Sequence, residues 1–414
     1  MAEAGPHGAT TRLGSFEIVR RLARGGMAEL FLARTRGPQG FEKLVVLKQI
    51  LPRYAGRRRF VQQFLDEARL AASLDHPNIA QAYDIGMVDG NYFFTMEYLH
   101  GPDLRAILAR SWRVRAPFPI EHAVQIARHV AAALHYAHEK QGREGPLGVV
   151  HRDVSPSNVV VTYDGATKLL DFGVAKAATS SVKTRTGALK GKVSYMSPEQ
   201  AKGGAVDRRS DLFSLGVVLW EMVTTERLYR TDNDLATLQR ILHEPAPPPS
   251  TLRPDCPLEL ERIVLRALAK DPAARYATAA DLVGELDELA REAKLKQSPS
   301  GLAATISGLF SAELAAWRQA EAAGVALGDH LHALVDATAQ AHGEAGEPGS
   351  VVEYMIATPP GLQFVAGRIG VDDRIDYDAY TARTIGPPRY IEVKAGQIAD
   401  ITASEPMEFV PFDD

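Results

Sequence analysis

Cysteine is almost missing from this chain: Cys256 is the one example in 414 residues. An internal disulfide is therefore excluded, and such usage fits a reducing compartment. Cys256 has no CxxC partner, so a structural thiol is the expectation. Uninterrupted apolar runs of about 18 residues or more are lacking too, so no membrane span is expected. Residues Met1 to Thr11 do not show the basic-then-apolar order of a secretory leader. Together these absences point to a cytoplasmic protein. No internal repeat is found. The basic clusters Arg57-Arg58-Arg59 and Arg208-Arg209 are short and have no interleaved aromatics, so nucleic acid is not an expected partner.

The remaining composition is that of a globular protein, 45% apolar and 24% charged with a net charge of −4. The chain is too long for one ordinary core, so two or more units are expected. Charge is uneven: from residue 301 onward there are 17 acidic and 6 basic residues. That part stands near −11 and the remainder near +7. An acidic tail is ordinarily a solvated one, and lying against the basic part is the alternative.

Periodicity divides the chain further. Residues 1–15, rich in Gly, Ala and Thr, read as a disordered leader. From Phe16 the pattern is strand-like: Phe16–Val19 and Ala28–Leu32 flank a Gly-Gly turn, and Leu44–Leu47 ends at Lys48. An amphipathic helix follows through Phe60, Phe64 and Ala68, then strands at 79–87 and 92–98. Beyond them 120–140, 207–226, 233–243, 257–270 and 278–291 show helical spacing. The resulting fold class is α+β, a small strand-rich half followed by a large helical one. Residues 292–339 are expected to hold a linker and one amphipathic helix at 302–323. Residues 340–414 form an acidic extension, a small β-rich module or partly disordered, with strand-like runs at 351–356, 363–365 and 390–393.

Four motifs carry chemistry. The first is the turn Arg24-Gly25-Gly26-Met27-Ala28 between two strands, where small residues let backbone amides approach a phosphate; on these residues alone a plain hairpin competes. Second, Lys48 ends an apolar strand and Glu67 follows 19 residues later within a helix. A surface lysine and a helix-face glutamate are the bland alternative. The third motif is His151-Arg152-Asp153-Val154-Ser155-Pro156-Ser157-Asn158, followed by an apolar strand and Asp171-Phe172-Gly173. Its Asp153, Asn158 and Asp171 make an oxygen-rich set suited to a hard cation such as Mg²⁺. The fourth comprises Ser197-Pro198-Glu199, Asp211 and Arg275. These are structural in kind, with Glu199 and Arg275 as a buried ion pair and Asp211 bracing the loop at 151–158. The histidines at 122, 129, 135 and 138 spread over two faces of one helix, which suits core or surface roles rather than metal.

Over residues 16–291 the chain resembles the bacterial eukaryotic-like (Hanks-type) serine/threonine protein kinases, the bacterial flavour coming from Tyr195-Met196-Ser197-Pro198-Glu199-Gln200. The resemblance implies a two-lobe protein-kinase fold: a small antiparallel β lobe with one main helix and a large helical lobe, plus the C-terminal extension. It implies transfer of the ATP γ-phosphoryl to a protein hydroxyl. In that scheme Asp153 orients the acceptor hydroxyl, Lys48 paired with Glu67 grips the phosphates, and Asn158 and Asp171 hold Mg²⁺. ATP would lie against Leu22, Ala23, Gly25, Gly26 and Leu30, between Val46 and Val160. Met96 is the implied gatekeeper, Glu97 to Leu99 the hinge, and His151 and Phe172 members of an internal spine.

Two departures stand out. The family's catalytic-loop lysine is Ser155 here, and the threonine usual in the segment before the SPE motif is Lys192. We expect Lys192 to reach back over the catalytic loop and supply the missing cation; a solvent-facing lysine is the alternative. Arg152 beside Asp153 suggests control by phosphorylation, with Thr184 or Thr186 modified by another copy of the same chain through transient self-association. Two rival classes remain at this point. A pseudokinase scaffold would have lost Lys48, Asp153, Asn158 or Asp171, and all are present. A small-molecule phosphotransferase would lack the SPE segment and its arginine.

Overall fold

Strict alternation along Glu42–Ile50 builds the small lobe: Val45 and Leu47 face one side of the strand, Leu44, Val46 and Lys48 the other. The computed structural model describes residues 12–38, 41–142, 145–172, 193–231, 233–341, 351–358 and 361–368. Its six-stranded antiparallel sheet runs in the order β1-β2-β3-β4-β6-β5. The strands are β1 (Arg12–Leu13), β2 (Phe16–Arg24), β3 (Ala28–Arg36), β4 (Glu42–Ile50), β5 (Ala82–Val88) and β6 (Asn91–Glu97). Between β4 and β5 come α1 (Pro52–Ala55) and the main helix α2 (Arg58–Ser73). Phe64, Glu67 and Ala68, at helical spacing, are the buried face of α2. Phe64 and Ala68 close a core with Ala28, Ile50, Phe94 and Met96.

The large lobe is ordered by two helices with little solvent contact. In α4 (Ile120–His138) Ala123 to Ala127, Val130, Ala131, Ala133 and Leu134 are buried. In α6 (Arg208–Thr224) every residue from Ser210 to Val223 is buried. A helix apolar all round belongs in the middle of a core, and α6 takes that place. Asp207 caps it by accepting from the Arg209 N–H. Around this pair lie α3 (Leu104–Arg113), α5 (Pro198–Ala201), α7 (Asp234–His243), α8 (Leu258–Ala267) and α9 (Ala279–Glu292). Short pairs β7 (Gln141–Gly142) with β8 (Gly145–Pro146) and β9 (Val159–Val161) with β10 (Thr167–Leu169) carry the loops of interest.

After α9 the chain forms α10 (Pro299–Leu309), α11 (Ser311–Ala322) and α12 (Leu327–Ala341). The single helix expected over 302–323 is therefore two. The break falls at Phe310, whose ψ of 34° leaves the helical region and whose ring is fully buried. Ser298 caps α10 and Pro299 occupies its first turn, so the helix starts earlier than the apolar spacing alone indicated. The chain divides into two compact units, residues 1–332 and 333–414. In the second, β11 (Val351–Thr358) pairs antiparallel with β12 (Gly361–Arg368). The run at 390–393 lies outside the described residues. Among the described residues no helix is long and apolar enough to cross a membrane.

Candidate active site

Strand β4 delivers Lys48 and helix α2 delivers Glu67 to one point. The Lys48 Nζ lies 2.5 Å from Glu67 Oε1 and 3.3 Å from Asp171 Oδ1. Burial pulls the Lys48 pKa down, but the Asp171 and Glu67 carboxylates outweigh it and hold the amine above its ordinary range. Burial pushes the Glu67 carboxyl upward while Lys48 pulls it back. The short contact to a charged ammonium makes this an ion pair. Asp171 keeps about a third of its side chain open, 34%, and so offers oxygen to the cleft.

The loop at 151–158 is held from beneath by Asp211, which is wholly buried. Its Oδ2 accepts from the His151 N–H at 2.8 Å and its Oδ1 from the Arg152 N–H at 2.7 Å. The His138 Nε2 lies 2.8 Å from Oδ2. This brace matters because Arg152 takes a φ of 63°, a left-handed conformation that non-glycine residues adopt at a cost of roughly 1 kcal/mol. Gln200 Nε2, from the Ser197-capped helix α5, grips the Arg152 carbonyl at 3.2 Å. Asp171 is similarly placed, with φ 46°. His151 Nε2 reaches the Leu170 carbonyl at 2.8 Å, and its ring lies 4.6 Å from that of Phe172.

Asn158 Nδ2 donates to the Asp153 carbonyl at 2.7 Å and to Asp153 Oδ2 at 3.1 Å. With the amide nitrogen fixed there, Oδ1 is turned the other way as a hard donor. Asp171 adds a carboxylate, so the donor set has the oxygen character a Mg²⁺ ion requires. Ser155 is buried, its Oγ 3.1 Å from Ser157 Oγ. Lys192, Thr184, Thr186 and Gly173 lie outside the described residues. Farther out, Arg275 forms a two-pronged pair with Glu199, Nη1–Oε1 and Nη2–Oε2 both at 2.8 Å, with the guanidinium fully buried.

On the nucleotide side, the Gly25 N–H closes the β2–β3 turn on the Ala28 carbonyl at 2.8 Å. Ala23 pairs in register with Leu30, and Leu30 with Lys48. Val46 pairs with Met96, which puts the gatekeeper candidate beside one of the two valines expected to flank the base. Val160, on β9, bridges Asp103 at the start of the large lobe. The Glu97 N–H donates to the Gln81 carbonyl at 2.9 Å. Leu22, Leu44 and Tyr98 pack against the buried cluster of Val19 and Leu32. Sequence reasoning missed Lys168: its Nζ is 2.7 Å from Glu97 Oε1 and 3.3 Å from the Ile79 carbonyl, tying β10 to the hinge. Lys168 stands in no motif, and its partner is 71 residues away, so the sequence gives no signal for the pair. It also missed the buried set in which Tyr195 OH and Arg227 Nη1 both reach Glu221 Oε2 at 2.8 Å.

Residues 16–285 match the model of the protein kinase domain. The chain belongs to the protein kinase family. A tyrosine-protein kinase of Myxococcus xanthus, MasK, is 46% identical over 301 residues, covering 72% of this chain and 47% of that protein. The serine/threonine-protein kinase PrkC of Bacillus subtilis is 36% identical over 275 residues, covering 66% of this chain and 40% of the relative. The kinase domain of Mycobacterium tuberculosis PknI is similar in structure, with a TM-score of 0.51 and 28% identity across 70% of this chain and all of that domain. The chain thus spans about half the length, or less, of these full-length relatives. The kinase family generally uses ATP with Mg²⁺, and the two lobes described above are the protein kinase fold.

Proposed function

We propose that this kinase domain transfers the γ-phosphoryl of ATP to serine or threonine hydroxyls of a protein substrate. The observation that carries the reading is the convergence of Lys48, Glu67, Asp171, Asn158 and Asp153 in one cleft, with Lys48 between two carboxylates. Mg²⁺, when bound, neutralises phosphate charge and orients the β- and γ-phosphates. Asp171 and the Asn158 amide oxygen are the groups that would hold it. Lys48, kept charged and fixed by Glu67, grips the α- and β-phosphates. Asp153, whose Oδ2 is steadied by Asn158, accepts the acceptor hydroxyl proton through its carboxylate and so aligns the oxygen for attack. Leu22, Val46, Met96 and Val160 enclose the base, and the Glu97 carbonyl with Leu99 reads its edge.

Ser155 leaves the catalytic loop one cation short of the family pattern. We assign that role to Lys192, whose ammonium would neutralise γ-phosphate charge near Asp153. Lys192→Ala should then cut turnover about 100-fold, with a Ser155→Lys change restoring much of it; an undiminished Lys192→Ala enzyme would end the idea. Thr184 or Thr186 is the proposed site of modification by a second copy, its phosphate pairing with Arg152. Phosphopeptide maps of the wild-type chain and of Asp171→Ala should differ there, and identical maps would argue against it.

A second reading, tyrosine as the acceptor, is favoured by the likeness to a relative named as a tyrosine kinase and by Ser155 in the lysine position. Acid hydrolysis of product labelled from γ-labelled MgATP separates the two. Phosphoserine or phosphothreonine is expected; phosphotyrosine alone would favour the second reading, and no label at all would overturn both.

A further inference from the structure

Beyond residue 285, where the family match ends, the chain does not leave the kinase domain but climbs its hinge side. Helix α10 starts against the β9–β10 turn. A Cβ on Gly165, φ +86°, would lie 2.0 Å from the Pro299 carbonyl oxygen, so only glycine permits this crossing. Leu302, Ile306 and Phe310 are fully buried in the large-lobe core. Arg110 of α3 lies over the Phe310 ring at 4.9 Å and pairs with Glu313 of α11. Trp317 then meets His100 edge-on at 6.1 Å, two residues past Tyr98, and His330 at 5.4 Å.

Helix α12 next docks on the small lobe. A Cβ at Gly328 would sit 3.1 Å from Leu44 Cδ2, which marks how closely the helix lies on β4. Asp329 pairs with Arg34 of β3 at 2.6 Å. Leu331, 4% exposed, forms one cluster with Val19 and Leu32, against which Leu22, Leu44, Tyr98 and Leu327 pack. The face of the sheet is settled by register. Leu44 is four residues from Lys48 on the same strand, and Leu32 pairs with Val46. The cluster therefore sits on the cleft face of the sheet, at its hinge end, and reaches Leu22 and Tyr98.

We infer that residues 311–331 form a strap that sets the hinge-side wall of the nucleotide cleft, with Leu327 and Leu331 as positioning residues acting on bound ATP through Leu22 and Tyr98. The strap is seated on the large lobe by Glu313, directly after the buried Phe310, and on the small lobe by Asp329 and Leu331. It therefore fixes the spacing of the lobes at the hinge as well as the pose of Leu22. A side chain held in place before the ligand arrives loses little freedom on binding, and that saving appears as affinity. The inference rests on the cleft being an ATP site.

Titration of the full-length chain with MgADP, followed calorimetrically, tests it alongside thermal unfolding without nucleotide. Leu331→Ala should weaken MgADP about tenfold and raise the KM for ATP similarly, leaving the protein-substrate KM unchanged. Leu331→Met should restore wild-type affinity. Asp329→Lys, at a half-exposed position, loosens the strap without emptying the core and should cost about threefold. It decides the matter if Leu331→Ala does not fold. Variants that melt earlier yet bind MgADP as the wild type does would overturn the strap's role and leave the kinase reading standing. A wild-type chain that binds no MgADP would instead remove the ATP site itself, and this inference with it.

Discussion

At the scale of single residues, Asp211 shows how a group that touches no substrate shapes the site. Its two oxygens satisfy both the His151 and Arg152 N–H groups, and Arg152 is held at a positive φ by those bonds. Replacing it with alanine leaves three buried groups without their acceptor, each worth roughly 1–3 kcal/mol. Asp211→Ala should therefore cost about 3 kcal/mol or more in denaturant-induced unfolding. It should also lower turnover, because Asp153 is next in the chain to the strained residue. Asp211→Asn, which keeps one acceptor oxygen, should lose less. An unaltered unfolding midpoint for the alanine variant would contradict the bracing role. The parts of the site legible in the sequence were those carried by fixed offsets, such as Asp153, Asn158 and Asp171. Lys168 and the Tyr195–Glu221–Arg227 set were not legible, since each is assembled from distant residues whose types are common anywhere.

At the scale of elements, helix α4 shows what burial does to titration. Burial, with help from Arg128 and His76, lowers the His129 pKa to about 4. The folded chain then keeps this ring neutral at pH values where the unfolded chain, titrating near 6.5, has already bound a proton. Stability from this residue is accordingly full above about pH 6.5, falls as pH drops through the interval, and is lost below about 4. His122 and His151 are lowered in the same direction by burial, so the whole domain should lose stability on that side. The slope of unfolding free energy between those two pH values should be shallower in His129→Gln; equal slopes would contradict the assignment. Most elements followed from periodicity, as in β4 and α2. The break at Phe310 did not, because apolar residues on both sides keep a helical rhythm and only tertiary burial of the ring shows that the chain must turn there.

At the scale of the whole molecule, residues 1–332 form a unit larger than the family match at 16–285, and the part beyond 285 includes the segment proposed above as a strap. A reading of 302–323 from its apolar face alone could say that the face must be buried, either in the large lobe or by a partner. The first of these holds for Leu302, Ile306 and Phe310, while docking of Leu331 on the small lobe was not legible, because it depends on where β4 and the segment after β6 bring Leu44 and Tyr98. The function proposed above is a metal-dependent phosphoryl transfer organised by Asp153, Asn158 and Asp171. Transfer of label from γ-labelled ATP to a protein acceptor, measured across a Mg²⁺ titration for the wild type, Asp153→Ala and Asp171→Ala, tests this most directly. The account predicts Mg²⁺-dependent transfer by the wild type and losses of about 100-fold or more in both variants. Wild-type transfer indifferent to Mg²⁺, or variants as active as the wild type, would contradict it.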